Sequence, residues 1–302
     1  MAQSGEGTDA CLRQGALPML VHFYSPVPDI DDLHSRRAWS NRSELPGIDF
    51  RQEEQLTLLS KLGAQFGAEC DWPPHSDGDA ASFYTENNSF SYGCAAITHA
   101  MIRHSRPRKV IEIGSGNSSK VIAAAIRRNT DAGQGEADYT IIDPYPGELV
   151  AAGIPGVTRL VEKRVELVDI SVFTELAAGD ILFIDSGHTV RIGGDVNYEF
   201  LEVLPRLAPG VIVHIHDIPL PYEYPEVYAT NPSFRVFWTE SYLLQAFLCG
   251  NSLYEVLLGM SYIMTEQNEA FRAAFPLYDP QRHLASSGSF WMRRVVSTGE
   301  DF

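Results

Sequence analysis

The sequence predicts a doubly wound α/β domain with a helical N-terminal extension, and three observations carry that reading. From Lys109 to Ile215, short and nearly all-apolar segments alternate with helical patterns. Such strands belong to a parallel sheet covered on both faces. The first apolar segment runs directly into the glycine turn Gly114-Ser115-Gly116, and a helical pattern follows. That arrangement brings main-chain N–H groups and a helix N-terminus against a polar ligand. Finally, acids and histidines stand at strand ends, where open α/β sheets bind their ligands.

Residues 1–18 are small and polar and are expected to be poorly ordered. Ser25–Asp29, with Pro26 and Pro28, reads as an extended arm. Leu56, Leu58, Leu59 and Leu62 mark an amphipathic helix between Asp49 and Phe66. Asp71–Gly78, with Pro73-Pro74, is a loop, and a second helix covers Tyr92–Arg103. Residues 19–105 thus read as an arm with helices on the substrate or lid side, and residues 106–302 as the sheet domain. Its strands are Val110–Ile113, Tyr139–Ile142, Thr158–Val161, Ile181–Ile184 and Val211–Ile215. Between them lie helical segments Ser118–Arg128, Gly147–Ala152, Val172–Ala177 and Gly194–Leu207. A long loop rich in aromatics and prolines, residues 219–238, follows; it reads equally as a substrate lid and as a self-packed structural loop. A helix over Glu240–Cys249 and strands at Tyr254–Leu258 and Ser289–Val295 complete the chain. Glu240 reads as a favourable acid in a first helical turn.

Composition narrows the function. The 302 residues carry 23 Lys and Arg against 39 Asp and Glu, a net charge of −16. An extended nucleic-acid contact needs a basic face, so none is expected. The run Arg103–Lys109 reads as a solvated helix C-terminus, where cations oppose the dipole. Cys11, Cys70, Cys94 and Cys249 lack the spacing of a zinc site and read as reduced thiols. With no secretory leader pattern and no apolar run near the ~20 residues that span a bilayer, the expectation is a cytoplasmic protein acting on a small molecule, with a homodimer left open.

Which ligand meets the glycine turn is the next question. Gly114 and Gly116 permit positive φ and close approach of the backbone. Dinucleotide sites favour GxGxxG, but the third position holds Ser119, and no phosphate-binding GxxxxGK[ST] loop occurs. Glu112, one residue before the strand ends, can orient the loop or meet a cationic amino group; neither contact helps a pyrophosphate. Asp143, closing the second strand, can accept hydrogen bonds from both hydroxyls of a ribose. It is also a plain turn residue before Pro144. A nucleoside ligand follows from these residues, without a choice among nucleosides.

Here the chain resembles the class I S-adenosylmethionine-dependent methyltransferases. Glu112-Ile113-Gly114-Ser115-Gly116 looks like their first motif, Asp143 matches their ribose-binding acid, and Val165-Glu166-Leu167 sits where they contact adenine. The resemblance extends from about residue 20 to 296 and includes Phe90-Ser91-Tyr92-Gly93, Phe183-Ile184-Asp185-Ser186-Gly187-His188 and Val213-His214-Ile215-His216-Asp217, marks of a bacterial subgroup. It implies a Rossmann-like seven-stranded sheet with an antiparallel last strand. It also implies a cofactor site of Glu112, Gly114, Ser115, Gly116, Ser118, Asp143, Glu166 and Leu167, with Tyr92 near the amino-acid end of S-adenosylmethionine.

The acids and histidines at the fourth and fifth strand ends remain. His214 and His216 point to one face and Asp217 to the other. Buried histidines need partners, so one reading is a structural pair bonded to Asp185. The other is a metal site. By resemblance to the catechol-type O-methyltransferases, Asp185, His216 and Asp217 would hold a divalent cation, with His214 as a further ligand or as support. A histidine in place of one carboxylate shifts the preference from magnesium toward iron, manganese or zinc. His188, where that group has a catalytic lysine, would take the acceptor's proton, and Asp185 and His188 would carry catalysis. The rival readings are a nucleotide-dependent oxidoreductase on the same fold and a non-catalytic ligand-binding relative.

Overall fold

A computed structural model describes residues 10, 11, 13–16, 22–284 and 286–296. The poorly ordered tail expected over residues 1–18 falls, for residues 1–9, 12, 17 and 18, outside the described residues. The chain divides into two compact units, Met1–Asn41 with Glu223–Phe237, and Arg42–Tyr222 with Trp238–Phe302. The first unit holds two short helices that a reading of arm and loop did not foresee, Ile30–Ser35 and Glu226–Thr230. Asp29 caps the former by accepting from the amides of Asp31 and Asp32. His34 meets Glu226 at 2.8 Å.

The second unit contains, in order, α1 (Gln52–Phe66), α2 (Tyr92–Ser105), β1 (Lys109–Ile113), α3 (Asn117–Asp131), β2 (Asp138–Ile142), α4 (Glu148–Ala152), β3 (Arg159–Val161), α5 (Ser171–Thr174), β4 (Ile181–Ile184), α6 (Asp195–Tyr198), β5 (Ile212–Ile215), α7 (Glu240–Leu248), β6 (Tyr254–Gly259), α8 (Met260–Glu266), α9 (Asn268–Ala274) and β7 (Phe290–Arg294). The seven strands form one sheet in the order β3-β2-β1-β4-β5-β7-β6. β1 to β5 are parallel, and β7 is antiparallel to both neighbours. This is the expected α/β architecture, with the expected antiparallel last strand. Every residue of β4 and β5 is buried, His214 included.

The order reverses between β1 and β4, which start crossovers to opposite sides and leave a crevice at their carboxyl ends. Backbone hydrogen bonds continue the ladder past those ends, from Asp185 N to Ile113 O at 2.8 Å and from His216 N to Ile184 O at 2.9 Å. They fix the site's residues to the sheet itself.

One predicted helix differs in form. Over Gly194–Leu207 the chain is α-helical only to Tyr198, then widens into a π turn at Glu199–Val203 and tightens into a 3-10 turn at Leu204–Arg206. Pro205 has no N–H to continue the α ladder. The π turn carries Glu199 into the interior, where it is fully buried.

Candidate active site

The glycine turn is built from below. Gly114 has φ +86°, and a Cβ there would overlap the carbonyl oxygen of Asp185. Only glycine allows the turn to lie against the end of β4. Gly116, expected to need the same freedom, is extended at φ 163° and caps α3. Its N–H donates to Ser119 Oγ at 3.1 Å. Ser119 in turn donates to Glu112 Oε2 at 2.8 Å, and Ser118 donates to Glu112 Oε1 at 2.6 Å. The Tyr139 hydroxyl donates to the same carboxylate. Glu112 is therefore wholly buried and serves the turn as its anchor. Burial pushes its pKa up to about 7, against the pull of the three hydroxyls. Ser119 explains itself here: a third glycine would remove a hydroxyl that ties turn, helix and anchor together.

Above the turn opens a cavity of about 630 Å³, lined among others by Gly114, Ser115, Asp143, Glu166, Asp185 and Gly187. That size suits a nucleoside-bearing cofactor. Ser115 Oγ and the amide of Tyr145 both donate to Asp143, which fixes its carboxylate at the rim. Glu166 is paired with Arg164. Not every expected residue reaches this space. Ser118 lies under the turn with Glu112. Leu167 is 69% exposed, and Tyr92 is buried in the helical layer, its hydroxyl on Cys70 O at 3.1 Å and its ring stacked on His283.

At the carboxyl ends of β4 and β5, next to that cavity, Asp185, His188 and Asp217 bring one ligand atom each within 4.8 Å of one another. His188 Nε2 lies 3.4 Å from Asp185 Oδ1 and 3.7 Å from Asp217 Oδ2. Both His188 and Asp217 hold φ +54°, in the left-handed region that aspartate and histidine enter more readily than most residues. His188 Nδ1 faces Glu240 Oε2 at 2.8 Å. Glu240 stands in the first turn of α7 as the sequence reading has it, yet it has no exposure at all and faces the interior. Burial alone would lower the pKa of His188, but Asp185 and Glu240 hold it well above the ordinary value. For Asp185 burial raises the pKa and is outweighed by His216 and His188, leaving it below the usual range.

The two β5 histidines separate. His216 stands beside the cluster, Nε2 3.8 Å from Asp217 Oδ1, with its ring stacked on Phe90 at 5.1 Å. Burial opposes its charge, yet Asp185 and Asp217 raise its pKa overall. His214 lies one layer deeper, stacked on Phe183 at 3.7 Å and 4.7 Å from the Trp291 ring. Neither of its ring nitrogens has a hydrogen-bond partner among the described residues. Burial drives its pKa well down, so it is a neutral core ring.

Residues 111–218 match the family model described as a methyltransferase domain. An uncharacterized protein of Archaeoglobus fulgidus is 32% identical over 162 residues, covering 51% of this chain and 72% of that protein. Among solved structures, one described as cmcI-N160 SAH is similar at 20% identity and a TM-score of 0.38, over 68% of this chain and 77% of that one. Another, described as a putative methyltransferase from Thermobifida fusca YX, shows 11% identity and a TM-score of 0.31, over 84% and 97%. Residues 111–218 thus carry a methyltransferase domain, and the chain belongs to the same family as the archaeal protein. Among the described residues no helix is long and apolar enough to cross a membrane.

Proposed function

We propose that the protein transfers the methyl group of S-adenosylmethionine to an oxygen of a small molecule, at a centre that also holds a divalent cation. The observation that carries this reading is the double membership of Asp185. It lines the cofactor cavity and belongs to the Asp185–His188–Asp217 cluster. An acceptor held at the cluster would stand next to the reactive methyl group, and positioning of that kind is the larger part of what such a transfer needs.

The donor set fits a cation. Two carboxylates and an imidazole nitrogen converge from two strand ends. Two oxygens and a nitrogen with open positions favour a transition metal such as iron, manganese or zinc over magnesium. When bound, a cation there supplies Lewis acidity that lowers the pKa of a hydroxyl group. The chain's own residues do the rest. Asp143 accepts from the ribose hydroxyls, and the Gly114–Gly116 backbone carries the cofactor's amino-acid end. Asp185 and Asp217 hold the charge, and His216 stands as a further donor beside Asp217. His188 is assigned here as a ligand and not as the base. Its Nδ1 is taken by Glu240, and its Nε2 faces the two carboxylates that would hold the cation, so that nitrogen is turned to the cation and away from an acceptor's proton.

The test uses methyl-tritiated S-adenosylmethionine and a panel of small hydroxylated molecules with two adjacent oxygens. Asp185→Ala should lose transfer by about a hundredfold or more, while S-adenosylhomocysteine affinity stays within about tenfold. Full turnover by Asp185→Ala would remove the cluster from the chemistry.

A further inference from the structure

We infer that Glu240 is the positioning residue that makes His188 a ligand, and that it sets the cation affinity and selectivity of the centre. This inference rests on the metal reading above. Geometry carries it. Glu240 is fully buried, and its Oε2 lies 2.8 Å from His188 Nδ1. That contact places the ring proton on Nδ1 and leaves Nε2 facing Asp185 and Asp217, the direction in which a ligand is needed. A carboxylate behind an imidazole both fixes its tautomer and strengthens it as a donor.

The pairing is constructed and not a chance approach of long side chains. The segment entering α7 is stitched to the loop after β4 by main-chain bonds: Thr239 N to His188 O at 2.9 Å and Glu240 N to the same oxygen at 3.2 Å. Thr239 Oγ1 accepts from Val190 N at 2.8 Å, and the Trp238 ring lies 4.5 Å from that of His188. His188 in turn sits at φ +54°, a conformation these contacts hold in place. Glu240 Oε1 has no hydrogen-bond partner among the described residues. A buried carboxylate with one oxygen idle is expensive unless the other oxygen has a task. Orienting His188 is that task.

The consequence is selective. A cation that accepts imidazole nitrogen well should depend on Glu240, and one that prefers oxygen ligands should not. The experiment titrates Mn²⁺, Co²⁺ and Mg²⁺ calorimetrically into the full chain, stripped of metal, as wild type, Glu240→Ala, Glu240→Gln and His188→Ala. Glu240→Ala should weaken Co²⁺ and Mn²⁺ binding by about 10- to 100-fold and Mg²⁺ binding by much less. Glu240→Gln keeps an acceptor for Nδ1–H and should fall between. On a His188→Ala background, Glu240→Ala should change nothing further. The Co²⁺ visible spectrum should lose intensity in Glu240→Ala and His188→Ala alike.

Should the Glu240 variants not fold, wild-type protein with ¹⁵N-labelled histidine and added Zn²⁺ decides the matter. The expected result is a zinc-shifted Nε2 and a protonated Nδ1 at His188. Wild-type cation affinity in Glu240→Ala, or zinc leaving the His188 ring unshifted, overturns the inference while the metal reading stands. Absence of divalent-cation binding by the wild type overturns the metal reading itself.

Discussion

At the scale of single residues, Glu112 shows how position and task can diverge. Its place before the glycine turn invites contact with a ligand, yet three hydroxyls occupy its carboxylate in the interior. That burial has a consequence for stability. The folded-state pKa stands at about 7 against an ordinary 4.5, so the folded state holds the proton more tightly than the unfolded one. The stabilisation is complete below the unfolded value and is lost as pH rises through about 7. A shift of this size corresponds to roughly 3 kcal/mol, an upper range for one group. Glu112→Gln cannot titrate. Urea denaturation of both proteins from pH 4.5 to 8 should therefore show the stability difference moving in favour of the variant by up to about 3 kcal/mol. A difference that stays constant over that range would mean that Glu112 keeps one ionisation state throughout.

At the scale of elements, what was legible was whatever repeats locally. The central strands announced themselves because their residues are apolar on both faces, and the turn because Gly114 and Ser119 flank a helix start. Asp185, His216 and Asp217 were legible as strand-end residues. What could not be read was which of them meet. His188 and Glu240 lie 52 positions apart, and neither carries a local pattern that points to the other. Glu199 was hidden for a different reason: its inward turn depends on a π widening before Pro205, which helical periodicity does not encode.

The segment ahead of β7 supplies a further constraint that sequence gave no sign of. Gly288 backs onto the end of β5, where a Cβ would come 2.7 Å from Asp217 Cα and 2.9 Å from its nitrogen. Ile218 N also donates to Gly288 O at 2.9 Å. Backbone on both sides cannot give way as a side chain could. Gly288→Ala should cost about 1–3 kcal/mol and displace Asp217. Cation affinity, measured by calorimetry, should fall at least about tenfold, while S-adenosylhomocysteine affinity changes little. Unaltered cation binding would mean that Asp217 does not need its present position.

At the scale of the whole sheet, the reversal of strand order between β1 and β4 joins two sites into one. β1 contributes the glycine turn, β4 contributes Asp185, and β5 contributes Asp217 on the far side of that same acid. Asp185 serves both the cavity and the cluster. Ligands that share a carboxylate compete for its charge, and the interaction is reciprocal by linkage. S-adenosylmethionine carries a sulfonium charge that S-adenosylhomocysteine lacks. A divalent cation should therefore bind less tightly beside the former, by about three- to tenfold at the effective dielectric of a partly open site. Relative to S-adenosylhomocysteine, S-adenosylmethionine should lose affinity by the same factor when the cation is present. Titration of Mn²⁺ into protein saturated with each nucleoside measures one side of the cycle, and titration of each nucleoside with and without Mn²⁺ measures the other. Equal Mn²⁺ affinities in the two complexes would separate the sites and take from Asp185 its place between them.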